Sequence, residues 1–325
     1  MKADAPPLMQ LNALRKTYRL RRTLIERLKG VDRVVTAVDG VSLSIQRGSI
    51  LGLVGESGCG KSTLAQMLVG LLPPTGGTIE YDGTDMSGLA GDAWLNYRQG
   101  VQMVFQDTGS SLNPRKRIRT ILREAVAARG LKGDCQDTRV AALMEQVGLD
   151  IQLLSRYPHA LSGGQRQRVG IARALAMEPS LLLADEPVSS LDVSLQGQII
   201  NLLRELNENL GLTIVLISHD LAVVARVCDA IAVMYSGRIV ESGTPDQVLT
   251  APRHPYTQAL LDAVPRGLER RDRKRTILPV ESGPILTGCK FRRRCARAVN
   301  ACETTDPKLA TAGPGGHEAA CLMVG

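Results

Sequence analysis

The sequence predicts an α/β protein whose central sheet is covered by helices on both faces. Three observations carry that expectation. The runs at 50–55, 180–185 and 212–218 are apolar along almost their whole length, as strands buried on both faces are. Between about 115 and 177, and again from 194 to 210, apolar residues recur at three- and four-residue spacing, the helical period. A glycine-rich stretch, GESGCGKS at 55–62, joins the first apolar run to a helix.

Taken in order, AVDGVSLSI (37–45) reads as a strand that passes through Arg47, Gly48 and Ser49 into the buried run ILGLVG. Residues 62–72 read as a helix ended by Pro73 and Pro74, which lack the backbone donor a helix interior needs. Short strands follow at 78–81 and 101–106, then the helical stretch to 177 and a buried strand at 180–185. On the helix 194–210, Ile199, Leu202, Leu203, Leu206 and Leu210 form one apolar stripe, and another buried strand follows at 212–218. Residues 230–243 read as a hairpin turning at Ser236–Gly237. Near Pro252 the regular pattern gives way to proline, then charge, then cysteine, which places a boundary between about 250 and 275.

At 325 residues the chain holds one large domain or two modest ones. It has neither an apolar run of about 18 residues nor a secretory h-region at its start, so a cytosolic setting is expected, where structural disulfides are rare. The net charge of +8 is concentrated at 15–33 and 266–275. Both segments read as solvated loops or as surfaces attracted to anionic lipid. No nucleic-acid partner is expected, because no aromatic platform accompanies the charge.

GESGCGKS fits the phosphate-binding loop. Gly55, Gly58 and Gly60 let successive N–H groups face phosphate oxygens, and the following helix N-terminus adds positive charge. Lys61 reaches the β- and γ-phosphates of ATP, and the Ser62 hydroxyl ligates Mg2+. Ser57, Cys59 and Thr63 complete the nucleotide-contacting segment, with Cys59 at a variable position that needs no role of its own. In LLLADEP (181–187) a buried strand ends in two carboxylates, which are costly to desolvate unless a cation faces them. Asp185 then serves Mg2+, and Glu186 is the general base on the attacking water.

LSGGQ (161–165), with Gln106, Ser190-Leu191-Asp192 and His219 in order around it, resembles the ATP-binding-cassette (ABC) ATPases over residues 10–262. The resemblance implies a P-loop cassette: a RecA-like α/β core, an antiparallel β-subdomain and a helical subdomain at about 107–177. It implies ATP sites shared between two subunits, in which Ser162, Gly163, Gly164 and Gln165 cap nucleotide held by the partner's P-loop and Asp192 lies in the D-loop. Gln106 senses Mg2+ and the lytic water, and His219 contacts the γ-phosphate. The family stacks adenine on an aromatic ring near the N-terminus. Tyr18, the only aromatic among residues 1–80, is the candidate.

VGESGCGKSTLA, VFQDTGSSLNPR, HPYTQALLDAVP and the cysteine tail resemble the peptide/nickel importer group, in particular the F-type subunit of dipeptide and oligopeptide permeases. The implied partners are a D-type ATPase subunit forming a heterodimer, two transmembrane permease subunits and, indirectly, an extracytoplasmic substrate-binding protein. The chain would lie on the cytoplasmic face of the inner membrane and energise import of peptides. Nickel or another non-peptide substrate, or a soluble ATPase acting on nucleic acid, are the rival readings. Residues 263–325 form the tail, with Cys289, Cys295, Cys302 and Cys321. Such a segment is too poor in apolar residues to fold on hydrophobicity alone, and four thiolates around a metal or cluster would cross-link it. The spacing lacks the short knuckle usual for structural zinc, though His317 is a further candidate zinc ligand. The resemblance implies a [4Fe–4S] cluster, whose ligand count four cysteines match.

Overall fold

The computed structural model describes residues 6–19, 34–106, 111–189, 191–263, 285, 287–313 and 315–324. Strands β1 (Met9–Arg19), β2 (Val34–Ile45), β4 (Gly76–Tyr81) and β5 (Thr84–Asp85) form a four-stranded sheet in the order β2-β1-β4-β5, antiparallel throughout. The second sheet contains β3 (Ile50–Val54), β6 (Val101–Val104), β7 (Leu181–Asp185), β8 (Thr213–Ser218), β9 (Ala230–Tyr235) and β10 (Arg238–Gly243). Two short strands of the tail, β11 (Ala310–Thr311) and β12 (Glu318–Ala319), extend it, giving the order β11-β12-β10-β9-β3-β8-β7-β6.

The centre of that sheet is parallel, from β9 through β3, β8 and β7 to β6. Every residue of β3, β7 and β8 is buried, so their apolar sequences reflect cover on both faces. One core lies between the parallel sheet and the helices Ile118–Ala128, Asp134–Gln146, Gly163–Leu175 and Val193–Leu210; another fills the space between the two sheets around the helix Lys61–Leu68.

The expected strands and main helices are present, with instructive differences. The helix after the P-loop stops at Leu68 rather than at the prolines. Gly70 has φ +70°, and the Leu71 N–H bonds back to Gln66 O while the Gly70 N–H bonds Met67 O, a Schellman closure. A side chain at Gly70 would also strike the Trp94 ring, 2.3 Å from the Cβ position. The hairpin turns at Ser236 and Gly237, both at positive φ, as a tight two-residue turn requires. Of the basic stretch at 15–33, residues 15–19 are strand rather than loop, paired to β2. The remainder, like the basic segment 266–275, lies outside the described residues. Leu210 leaves the apolar stripe of its helix and is half exposed, whereas Ile199, Leu202, Leu203 and Leu206 are buried.

The tail does not stand apart from the cassette. Strand β12 pairs with β10 through Ala319 and Glu318, and Phe291 is buried against Tyr235 and Tyr256. Glu241, fully buried on β10, accepts hydrogen bonds from the N–H groups of Arg253 (2.7 Å) and His254 (2.9 Å) and pairs with His317 Nε2 (2.8 Å).

Candidate active site

The P-loop emerges from β3 and ends in the helix Lys61–Leu68, whose N-cap is Gly60 at φ +112°. Glycine is required there on two counts: the left-handed backbone, and the Ala37 carbonyl that would lie 2.2 Å from a Cβ. Gly55 is equally confined, 2.2 Å from the Met234 carbonyl by the same measure. Gly58 faces open space, and Ser57 and Ser62 are exposed beside it, with Thr63 half-buried behind. The Lys61 ammonium donates to the carbonyls of Gly55 (2.6 Å) and Glu56 (3.1 Å), so it stays folded over the loop. Cys59 turns its side chain into the core, and its N–H is bonded to Glu56 O. Its side chain therefore supports the loop from within the core, and burial pushes its thiol pKa up.

Three segments far apart in sequence meet at Glu186. Gln106, just past β6, donates from Nε2 to Glu186 Oε2 at 2.9 Å, and His219, just past β8, brings Nδ1 to 3.5 Å from Oε1. The Glu186 backbone has φ +45°, a conformation costly for a residue with a Cβ. It is held by the Glu186 N–H to Ile217 O and by Ser189, whose N–H and hydroxyl both donate to Glu186 O. The Glu186 side chain is 14% exposed and meets Gln106 and His219, while Asp185 before it is buried.

Asp185 is nearly fully buried and hydrogen-bonds the Ser62 side chain. Burial raises its pKa, the Ser62 bond opposes the rise, and Glu186 adds to it. Its Oδ1 is buried without a hydrogen-bond partner among the described residues. An orphaned carboxylate oxygen beside a serine hydroxyl supplies oxygen donors of the kind that fit Mg2+.

LSGGQ forms the entry to the helix Gly163–Leu175. The Ser162 hydroxyl accepts the Gln165 N–H (3.3 Å) and the Gln165 side chain accepts the Ser162 N–H (3.0 Å), a reciprocal cap. Gly163 and Gly164 pack closely on Leu191 and Leu195, which joins the signature to the D-loop. Asp192 caps the next helix, accepting from the Leu195 N–H and the Ser194 hydroxyl; Ser190 lies outside the described residues, as do 107–110 after Gln106. Tyr18 is partly exposed on β1 opposite Val35 of β2, two residues from the Ala37 that backs the P-loop.

Cys289, Cys295, Cys302 and Cys321 line one cavity together with His254 and Phe291. All four are free thiols, and burial raises the pKa of Cys289 and Cys295. Among the described residues, no three His, Cys, Asp or Glu side chains stand close enough to hold a single metal ion. His317 lines no part of this cavity: its Nε2 is committed to Glu241. The zinc set that included it is therefore set aside.

Sequence reasoning missed two contacts. Arg294 of the tail forks onto the carboxylate of Glu56 in the P-loop, and Tyr256 Oη accepts the Glu56 N–H at 2.8 Å. The only signal was the HPYTQALL stretch that contains Tyr256.

Fold and site together define an ABC-type ATPase cassette. Residues 38–189 match the family model described as ABC transporter, and residues 240–302 match that of the oligopeptide/dipeptide transporter C-terminal region. The chain is 44% identical to the dipeptide transport ATP-binding protein DppF of Escherichia coli (strain K12), over 98% of this chain and 95% of that protein. It is 47% identical to the oligopeptide transport ATP-binding protein OppF of Salmonella typhimurium, over 90% and 89% respectively. Among solved structures, cbiO1 from Clostridium perfringens, part of the ABC transporter complex cbiONQ, matches with a TM-score of 0.66 and 29% identity, over 76% of this chain and 92% of that one. The dimeric bacterial ABC transporter cassette MJ0796 matches at 0.63 and 29%, over 73% and 98%. The chain belongs to the ATP-binding proteins of ABC transporters that carry the oligopeptide/dipeptide transporter C-terminal region.

Proposed function

We propose that this chain is the ATP-hydrolysing subunit that energises an importer of dipeptides or oligopeptides. The carrying observation is the meeting of Gln106, Glu186 and His219 beside a P-loop, in a chain that also has the peptide-transporter C-terminal region. Glu186 takes the proton of the attacking water, Gln106 holds its carboxylate in place, and His219 lies within reach of the transferred phosphoryl group. Lys61 and the helix N-terminus offset phosphate charge. Asp185, Ser62 and Gln106 are the residues that would hold Mg2+, which supplies further charge neutralisation when bound. Tyr18 is the ring on which adenine stacks.

The second half of each ATP site comes from another subunit. Ser162, Gly163, Gly164 and Gln165 present a helix N-terminus to the partner's nucleotide, and Asp192 lies beside them. A D-type ATPase subunit, two permease subunits and a substrate-binding protein complete the importer. No helix among the described residues is long and apolar enough to cross a membrane, in keeping with a peripheral subunit on the cytoplasmic face. Affinity purification from detergent-solubilised membranes should recover two membrane proteins and a second ATPase with this chain. The isolated chain should hydrolyse ATP slowly and the assembly faster, in response to peptide. Ser162→Arg should lower turnover of the assembly while leaving ATP binding by the isolated chain in place. Loss of ATP binding by the isolated Ser162→Arg chain would contradict the shared site.

The four cysteines, which line one cavity, match the ligand count of a [4Fe–4S] cluster, the cofactor that the likeness to peptide-permease ATPases implies. His254 is buried with its Nδ1 accepting the Tyr256 N–H, and burial lowers its pKa to about 4; the neutral ring then carries its proton on Nε2. A hydrogen-bond donor beside sulfur suits a cluster. Bound there, the cluster would cross-link the tail. Anaerobically purified protein should contain about four irons and four sulfides per chain; colourless protein with one zinc, or no metal, would remove the assignment.

A further inference from the structure

The tail reaches the nucleotide loop directly. Arg294, in the short 3-10 turn after Phe291, donates from Nη1 to Glu56 Oε2 and from Nη2 to Glu56 Oε1, both at 2.8 Å. Its guanidinium lies 5.8 Å from the Tyr235 ring centre and 5.6 Å from that of Phe291. The ring of Phe291 is in turn buried on Tyr235 and Tyr256. Tyr256 accepts the Glu56 N–H, while the Glu56 carbonyl accepts from Lys61 and from the Cys59 N–H. Thus the carboxylate and amide of one P-loop residue are both held by chain more than 190 residues away.

The charges explain why this matters. A loop that must hold a polyphosphate carries one cation, Lys61, and one anion, Glu56, so its own side chains cancel. A carboxylate beside a binding site for anions opposes the ligand unless it is neutralised. The Arg294 fork holds the Glu56 carboxyl below the usual carboxylate range, so the pair stays ionised, and restores one net positive charge at the loop. A bidentate guanidinium–carboxylate pair also fixes the carboxylate's direction.

We infer that Arg294 is a positioning residue of the ATP site: it neutralises and orients Glu56, so that the C-terminal region completes the anion-binding loop. This rests on the P-loop's binding of ATP, which the unsubstituted chain reports in the same assay. The test is a double-mutant cycle on the full chain, read by titration with a fluorescent N-methylanthraniloyl ATP and Mg2+. Arg294→Gln should raise the Kd about tenfold when Glu56 is present. In the Glu56→Gln background the same substitution should change it less than about twofold, because no carboxylate remains to be neutralised. A merely structural role would give the same loss in both backgrounds, and that result overturns the inference. So does an unchanged Kd in Arg294→Gln, or a protein whose circular dichroism shows that Arg294→Gln prevents folding.

Discussion

Glu186→Gln is expected to cut ATP turnover of the assembled transporter by about 10²–10⁴-fold while ATP binding is retained. The geometry makes the substitution a clean one. Gln106 Nε2 donates to Oε2, and a glutamine at 186 presents a carbonyl oxygen in the same place, so the contact survives. What is lost is a group able to take a proton from water. The backbone at φ +45° and its bonds to Ile217 and Ser189 do not depend on the side-chain charge, so the strand end keeps its shape. Asp185 stays next to Ser62, and the nucleotide loop is untouched. Single-turnover hydrolysis and nucleotide titration on the same preparation separate the two quantities. Turnover at the normal rate by Glu186→Gln would refute the assignment of Glu186 as the base.

The reason so much of this site was legible is that its residues serve local backbone rules as well as chemistry. Gly60 is required by its left-handed φ, and Ser162 with Gln165 caps a helix, so the motif is written in contiguous sequence. Strands β3, β7 and β8 announce themselves by burial on both faces. Other features depend on contacts that no local pattern records. Strand β1 alternates imperfectly because its ladder with β2 is broken by irregularities after Leu11, Leu14 and Lys16, and Ala13 sits at φ +47°. The helix after the P-loop ends at a glycine packed on Trp94, earlier than the more conspicuous prolines. The tail looked unable to fold alone because its anchoring surface belongs to the cassette: Phe291 needs Tyr235 and Tyr256, and Lys290 needs Asp39 (2.8 Å) and Ser236 O (3.0 Å).

Glu241 is a separate point at which the tail meets the cassette, and Glu241→Ala is expected to destabilise the chain by about 3–5 kcal/mol. Its carboxylate is fully buried on β10, the strand that receives the tail by pairing with β12. Removing it strands two backbone donors, those of Arg253 and His254, and takes away the partner of His317, a ring itself only 2% exposed. Each unsatisfied buried group costs about 1–3 kcal/mol, and the cavity left by the side chain adds to that. Against a usual total of about 5–15 kcal/mol, the loss is large. Glu241→Gln should cost less, yet more than nothing. Oε1 serves Arg253 and His317 while Oε2 serves His254, so an amide NH2 in either place faces at least one donor. The effect should also be uneven over the chain. Arg253 and His254 lead into the helix Pro255–Ala263 that carries Tyr256, and His317 lies between β11 and β12. Limited proteolysis of Glu241→Ala should therefore cut within 287–324 well before it cuts the parallel sheet, alongside a lower unfolding midpoint in denaturant. A midpoint and cleavage pattern identical to the unsubstituted protein would show that the three contacts contribute little, and that the tail is held by its aromatic anchor and the β10–β12 ladder instead.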